Sequence, residues 1–305
     1  MYRKLEYIVD EAYDGKKLKA FMRVRVKTSS STLNKLKNDP LGLLLNGEHV
    51  RTVDIVHTGD VLTVNIPEES CDIPPADFDD LDIVYEDEDI LVINKPAGLA
   101  MHPTHNHQGD TLANKVAGYF ASKNHSFVFR AIGRLDKCTS GLVLLALNRH
   151  AASVLSENIE KTYIAVVGGE YHGSGTIDRN IYRPDPMKTL RAADETGEKG
   201  ERAVTHYKVL STDGNRSIVE IHLETGRTHQ IRVHFSSMGT PLVGDEMYGS
   251  ADKGADRALL HCAVMEFKHP ITKVDMKLRA ELPEDMKKFT KDKRNQTDNE
   301  TINKN

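Results

Sequence analysis

The chain has 305 residues, 39% hydrophobic side chains and a formal net charge of −4, enough for about two domains with a proper core. No apolar run reaches the ~20 residues that a membrane helix needs, and the start, Met1-Tyr2-Arg3-Lys4-Leu5-Glu6, has no apolar signal core, so neither insertion nor export is expected and a cytoplasmic location is. Cys71, Cys138 and Cys262 are scattered without C-x-x-C spacing, which fits a reducing compartment and no zinc site; Cys138 reads as packing.

The first 67 residues read as a separate small module, with a net positive charge: residues 1–51 hold 11 Lys/Arg against 6 Asp/Glu. Leu18, Phe21, Met22 and Val24 have the spacing of a short amphipathic helix. A Ser/Thr run at 29–32 then caps a basic helix that carries Lys35 and Lys37. Asn46-Gly47 is a hairpin turn signal, His57-Thr58-Gly59-Asp60 is a second turn, and Val61–Ile66 alternates as a strand does. Residues 52–94 hold 13 Asp/Glu and no Lys or Arg; within them 68–81 reads as a solvated acidic linker stiffened by Pro74 and Pro75.

Ile83–Tyr85 and Ile90–Ile93 flank Glu86-Asp87-Glu88-Asp89 as a hairpin, and Pro96 and Gly98 then turn the chain. His102, His105 and His107 invite a metal reading, but no carboxylate or cysteine pattern accompanies them, and a loop bordering a cleft fits better. A helix is expected over 110–120, a buried strand over Leu142–Leu147, a helix near 150–160 and a strand over Lys161–Val167. Residues 183–202 read as a loop or hairpin tip, followed by strands at Val204–Val209 and Ile218–Leu223. Thr228 is placed to cap a helix through Ile231, Phe235 and Met238 that stops at Gly239. Strands near Leu259–Met265 and Val274–Ala280 come last, and 288–305 is polar enough to be disordered.

The chemistry concentrates before the buried strand. In Gly133-Arg134-Leu135-Asp136-Lys137-Cys138-Thr139-Ser140-Gly141 a single carboxylate stands between two cations, in a polar turn entering a rigid strand. Taken alone, that is equally a turn-capping Asp paired with a neighbouring Arg. The ordered set Asn94-Lys95-Pro96-x-Gly98-Leu99, Gly133-Arg134-Leu135-Asp136-x-x-Thr139-Ser140-Gly141, Lys161-x-Tyr163-x-Ala165, Gly226-Arg227-Thr228-His229-Gln230-Ile231-Arg232-Val233-His234 and Pro241-Leu242-x-Gly244-Asp245-x-x-Tyr248-Gly249 resembles the RluA-type pseudouridine synthases over about 82–285. The front module resembles the S4-type RNA-binding module. Gly133 is a departure, because many members have His there.

The resemblance implies an α+β fold: a mixed, mostly antiparallel sheet flanked by helices in 82–287, behind the S4-like module of 1–67. It implies an isomerisation of uridine in structured RNA, in which the N1–C1′ bond breaks and a C5–C1′ bond forms. Nothing is gained or lost overall, so neither a redox cofactor nor a metal is expected. By resemblance Asp136 is the essential carboxylate, whether by attack on C1′, attack on the base or removal of a ribose proton. Arg232 is its charged partner, and Tyr163 stacks on the base and serves a later proton step. Arg134 fills the gap or holds the backbone when the uridine flips out, while Arg227, Lys95 and Lys137, with Lys35, Lys37 and Arg51 of the front module, are expected at phosphates. The expected partner is RNA, ribosomal rather than transfer RNA, bound by a monomer. A catalytically silent RNA-binding assembly factor is the alternative.

Overall fold

The computed structural model describes residues 2–70, 72–104, 107–155, 159–249 and 254–290; Cys71, His105, the 156–158 end of the expected 150–160 helix and the tail beyond residue 290 lie outside the described residues.

Residues 2–67 fold round a core of their own, made by Leu5, Leu18, Phe21, Met22, Leu33, Leu36, Leu43, Leu62 and Val64. Two helices, Leu18–Val24 and Ser30–Leu36, stand where the apolar spacing put them. Ser29 caps the second, its hydroxyl accepting the Thr32 N–H at 3.2 Å. Asn46 and Gly47 have φ of 52° and 91°, the left-handed pair that a tight two-residue hairpin demands. A strand at Tyr2–Ile8 opens the module and pairs with Val61–Pro67; the sequence reading has no strand there, because it buries only Leu5.

The acidic connector is not a free linker. Glu69 is paired with Lys35, Arg130 and Arg149 at once. Further on, the Ala76 N–H donates to the Asn114 carbonyl at 3.0 Å, Lys115 meets Asp80 at 2.5 Å, and Phe78 packs edge-on against Tyr119. Glu69 and Asp80 are thus held by cations from both sides of the junction, which supplies for these two the neutralisation that a solvated linker would have taken from water.

Residues 82–290 build on a nine-stranded sheet. Its spatial order is Ser174–Asp178, Val204–Thr212, Arg216–Leu223, Ile159–Gly168, Leu260–Lys268, Ser140–Ala146, Ile90–Lys95 and Ile83–Glu86, with Asp275–Arg279 also pairing with Leu260–Lys268. Every pairing is antiparallel except the short one between Leu260–Lys268 and Ser140–Ala146. Ser140–Ala146 is buried along its whole length, as an apolar run with no polar alternation requires. Helix Leu112–Ser122 opens with a Thr111–Asn114 capping box, and Arg149–Leu155 is shorter than expected, since the chain is a strand again from Ile159. Asn180–Tyr182 and Ala192–Asp194 make a two-stranded ribbon at the base of the 183–202 tip. The polar tail begins later than its composition suggests: Glu284–Thr290 is a helix, anchored by Met286, which is fully buried.

Along the central strand the two ends are used differently. Asp136 lies just before its start. Asp89, Asn148 and His150, which meet Arg3 and Tyr7 of the front module, lie past its other end. Seven residues of strand put the module about 20 Å from the carboxylate.

Candidate active site

Asp136 follows the buried Leu135, and its carbonyl accepts the Thr139 N–H at 3.0 Å, closing the turn into the strand. Its side chain keeps about a quarter of its surface open. Arg232 comes from helix Gln230–Ser237, whose residues 230–235 are all buried. Its Nη1 donates to Asp136 Oδ2 at 3.2 Å, across 96 residues of sequence.

The guanidinium is itself held. Nε and Nη2 donate to the two oxygens of Asp245 at 2.7 and 2.8 Å, a bidentate fork, and the Tyr248 ring centroid lies 5.0 Å away. Burial disfavours the Arg232 charge. The Asp245 hydrogen bonds and the fields of Cys138, Asp245 and Asp136 more than offset it, so it is held more firmly charged than an ordinary arginine. Asp245 is the residue the sequence reading left without a role. A carboxylate beside a glycine in Gly244-Asp245 was visible, but not that it would be buried against Arg232.

Tyr163 stands in strand Ile159–Gly168, where the register with Leu260–Lys268 slips by one residue, and it is almost wholly buried. Burial raises its phenol well above the usual value, with Cys262 and Asp136 adding to it, so it is neutral at physiological pH. Tyr163, Asp136, Arg134, Arg227 and Arg232 line one small cavity of about 90 Å³. A cleft of about 890 Å³ shares Arg134, Asp136, Arg227 and Arg232 with it and adds Lys137 and the 98–104 loop.

His229 is a further unanticipated neighbour. It holds a left-handed φ of 60° at the head of the helix, its Nδ1 is 2.8 Å from the Tyr248 hydroxyl, and its Nε2 is 3.9 Å from Asp136. Burial lowers its pKa despite Asp136, so the ring is neutral. Thr228 does not cap this helix. The Gln230 side chain instead accepts the Arg227 N–H at 2.9 Å and donates to Val204, joining the turn to the sheet.

The other expected cations divide. Arg134 and Lys137 are exposed at the cleft, Lys137 lying 3.0 Å from His107 Nε2. Arg227 is exposed but ion-paired with Glu201. Lys95 is not a phosphate contact. It is fully buried, its ammonium donates to the carbonyls of Pro96 and Leu99 at 2.8 and 2.9 Å, and burial lowers its pKa to about 8. Lys35, half-exposed, is paired with Glu69; Arg51, exposed, is paired with Asp54; Lys37 is exposed. Among the described residues no group of three or more potential metal ligands occurs, and no helix is long and apolar enough to cross a membrane.

A family model described as RNA pseudouridylate synthase matches residues 89–237. The chain is 36% identical over 293 residues to the RNA pseudouridine synthase YhcT of Bacillus subtilis, covering 93% of this chain and 96% of that one. It is 37% identical over 262 residues to ribosomal large subunit pseudouridine synthase D of Pseudomonas aeruginosa, covering 80% and 81%. The solved structure of human RNA pseudouridylate synthase domain containing 1 is similar with a TM-score of 0.55 and 27% identity, over 68% of this chain and 85% of that one. Identity at this level along nearly the full length makes the chain a member of the RNA pseudouridine synthase family.

Proposed function

We propose that Asp136 is the carboxylate that acts on the target uridine, in large-subunit ribosomal RNA. The observation that carries this reading is its 3.2 Å pairing with Arg232 inside a cavity shared with Tyr163. A partly open carboxylate fixed from behind is free to approach C1′ or the uracil, while Arg232, locked by Asp245, cannot follow it away. Tyr163, neutral and nearly immobile, offers a ring face for the detached uracil and a hydroxyl that can pass on the proton released from C5. That proton balances the one that N1 acquires, so the reaction closes without a co-reactant. Arg134, exposed at the mouth, suits the space left by a flipped-out nucleotide; flipping costs a few kcal/mol of stacking.

The front module is the S4-like part of this reading, in a monomer working in the cytoplasm. From Gly15 to Asn38 the chain has no acid, and Lys16, Lys19, Arg23 and Lys27 are all exposed at roughly helical spacing. These, rather than Lys35 and Arg51, are the phosphate contacts. The ribosomal target follows the name of the Pseudomonas relative, a ribosomal large subunit pseudouridine synthase.

Asp136→Asn is expected to abolish pseudouridine formation while RNA affinity stays within about tenfold, since one carboxylate does not hold a polyanion. Pseudouridine mapping of cellular RNA, with and without the protein, checks the target. Maps that do not change would leave only a binding role.

A further inference from the structure

Arg257 forms part of the cleft wall. Its guanidinium is nearly buried, with 12% of the side chain exposed, and it is fully engaged. Nε and Nη2 donate to Asp285 at 2.6 and 3.0 Å. Nη1 donates to the carbonyls of Cys138, Ala258 and Leu260, each at 3.1 Å, and Nη2 reaches Ser140 Oγ at 3.3 Å. Cys138 and Ser140 flank Thr139, whose N–H closes the turn after Asp136.

The backbone of Arg257 supports the other half of the pair. A Cβ added at Gly244 would lie 2.1 Å from the Arg257 carbonyl, so the loop bearing Asp245 rests directly on it. Asp285, in turn, belongs to helix Glu284–Thr290, which is seated by Met286 on Val166, Val243 and Leu259. One residue therefore joins the C-terminal helix to the Asp136 turn through its guanidinium and stands, through its backbone carbonyl, under the loop that orients Arg232.

We infer that Arg257 and Asp285 are positioning residues: a clamp by which the C-terminal helix sets the distance between Asp136 and Arg232. The inference rests on the assignment of Asp136 above. It concerns placement, so it predicts a loss of rate without a loss of RNA binding.

The test is single-turnover conversion and RNA affinity for full-length Arg257→Ala, Asp285→Asn and Asp136→Asn, with melting curves to show that each is folded. Misplacing a reacting group by about 1 Å can cost on the order of a hundredfold, and that is the expected fall for Arg257→Ala, with affinity within about threefold of wild type. Asp285→Asn, which keeps the hydrogen-bonding shape but not the charge, is expected to lose on the order of tenfold. Because the vacated volume opens on the cleft, added guanidinium should restore part of the Arg257→Ala rate and none of the Asp136→Asn rate. Wild-type rates for both clamp variants, parallel loss of rate and affinity, or no rescue in a folded Arg257→Ala protein would each overturn the clamp. An active Asp136→Asn would instead overturn the assignment beneath it, and an inactive Asp136→Asn beside an unaffected Arg257→Ala would remove the clamp alone.

Discussion

Two carboxylates meet Arg232, and their surroundings separate their roles. Asp245 is almost completely buried and takes two hydrogen bonds from the guanidinium; Asp136 is partly open and takes one. Removing one member of a buried pair leaves the other charged and unsatisfied, which costs about 3–5 kcal/mol. Asp245→Ala should therefore lower the urea midpoint sharply, as well as the rate. Asp136→Asn should leave stability nearly unchanged, because its carboxylate keeps water contact. Equal midpoints for the two variants would contradict this division. Asp136 and Arg232 were both legible from their motifs, but Asp245 was not: its importance comes from burial, which a lone Gly-Asp does not encode.

Short elements here stand on local chemistry. Ser30–Leu36 is seven residues long, too short to persist alone, so its cap and its buried Leu33 and Leu36 carry it. Ser29→Ala removes the acceptor for the Thr32 N–H and should cost about 1 kcal/mol, read as a lower denaturant midpoint with an unchanged slope. The cap and the Asn46-Gly47 hairpin were readable because they depend on neighbours in sequence. The helix that carries Arg232 was readable in position but not in its start, since a distant sheet carbonyl and Gln230 replace the expected threonine cap. The C-terminal helix Glu284–Thr290 was missed altogether, because one buried methionine and a half-buried Phe289 outweigh a polar composition.

At the scale of the molecule, charge and distance divide the work. The front module is tied down by Arg3 on Asp89 at 2.8 Å and by Glu69 among three cations, at the end of the central strand away from Asp136. On the function proposed above, the module holds RNA from there, away from the reacting nucleotide. Removing one phosphate-binding cation should lower the slope of log affinity against log salt by roughly 0.7–0.9. Replacing Lys19, Arg23 and Lys27 with Ala together should flatten it by about two units, with single-turnover conversion at saturating RNA unchanged. An unaltered slope would remove the module from RNA binding.

Acid should destabilise the whole assembly. Burial lowers the pKa of His150, against the front module, and of His261, in the sheet, to about 4 in each case. The unfolded chain takes up these protons below about 6.5 and the native protein does not until about 4, so stability is intact above this window and falls as pH drops through it. The loss should be roughly 2 kcal/mol per histidine by pH 5, seen as lower urea midpoints there than at pH 7. Gln at either position should weaken that dependence.

The sequence by itself determined most of the strand and helix order and the family, because periodicity, turn residues and contiguous motifs are local and are written along the chain. Only the tertiary structure decided that Lys95 faces inward, that the acidic connector is pinned, and that Asp245 and Arg257 support the reacting pair. Each of these depends on which side chains from distant segments share a low-dielectric space, and spacing along one chain carries no information about that.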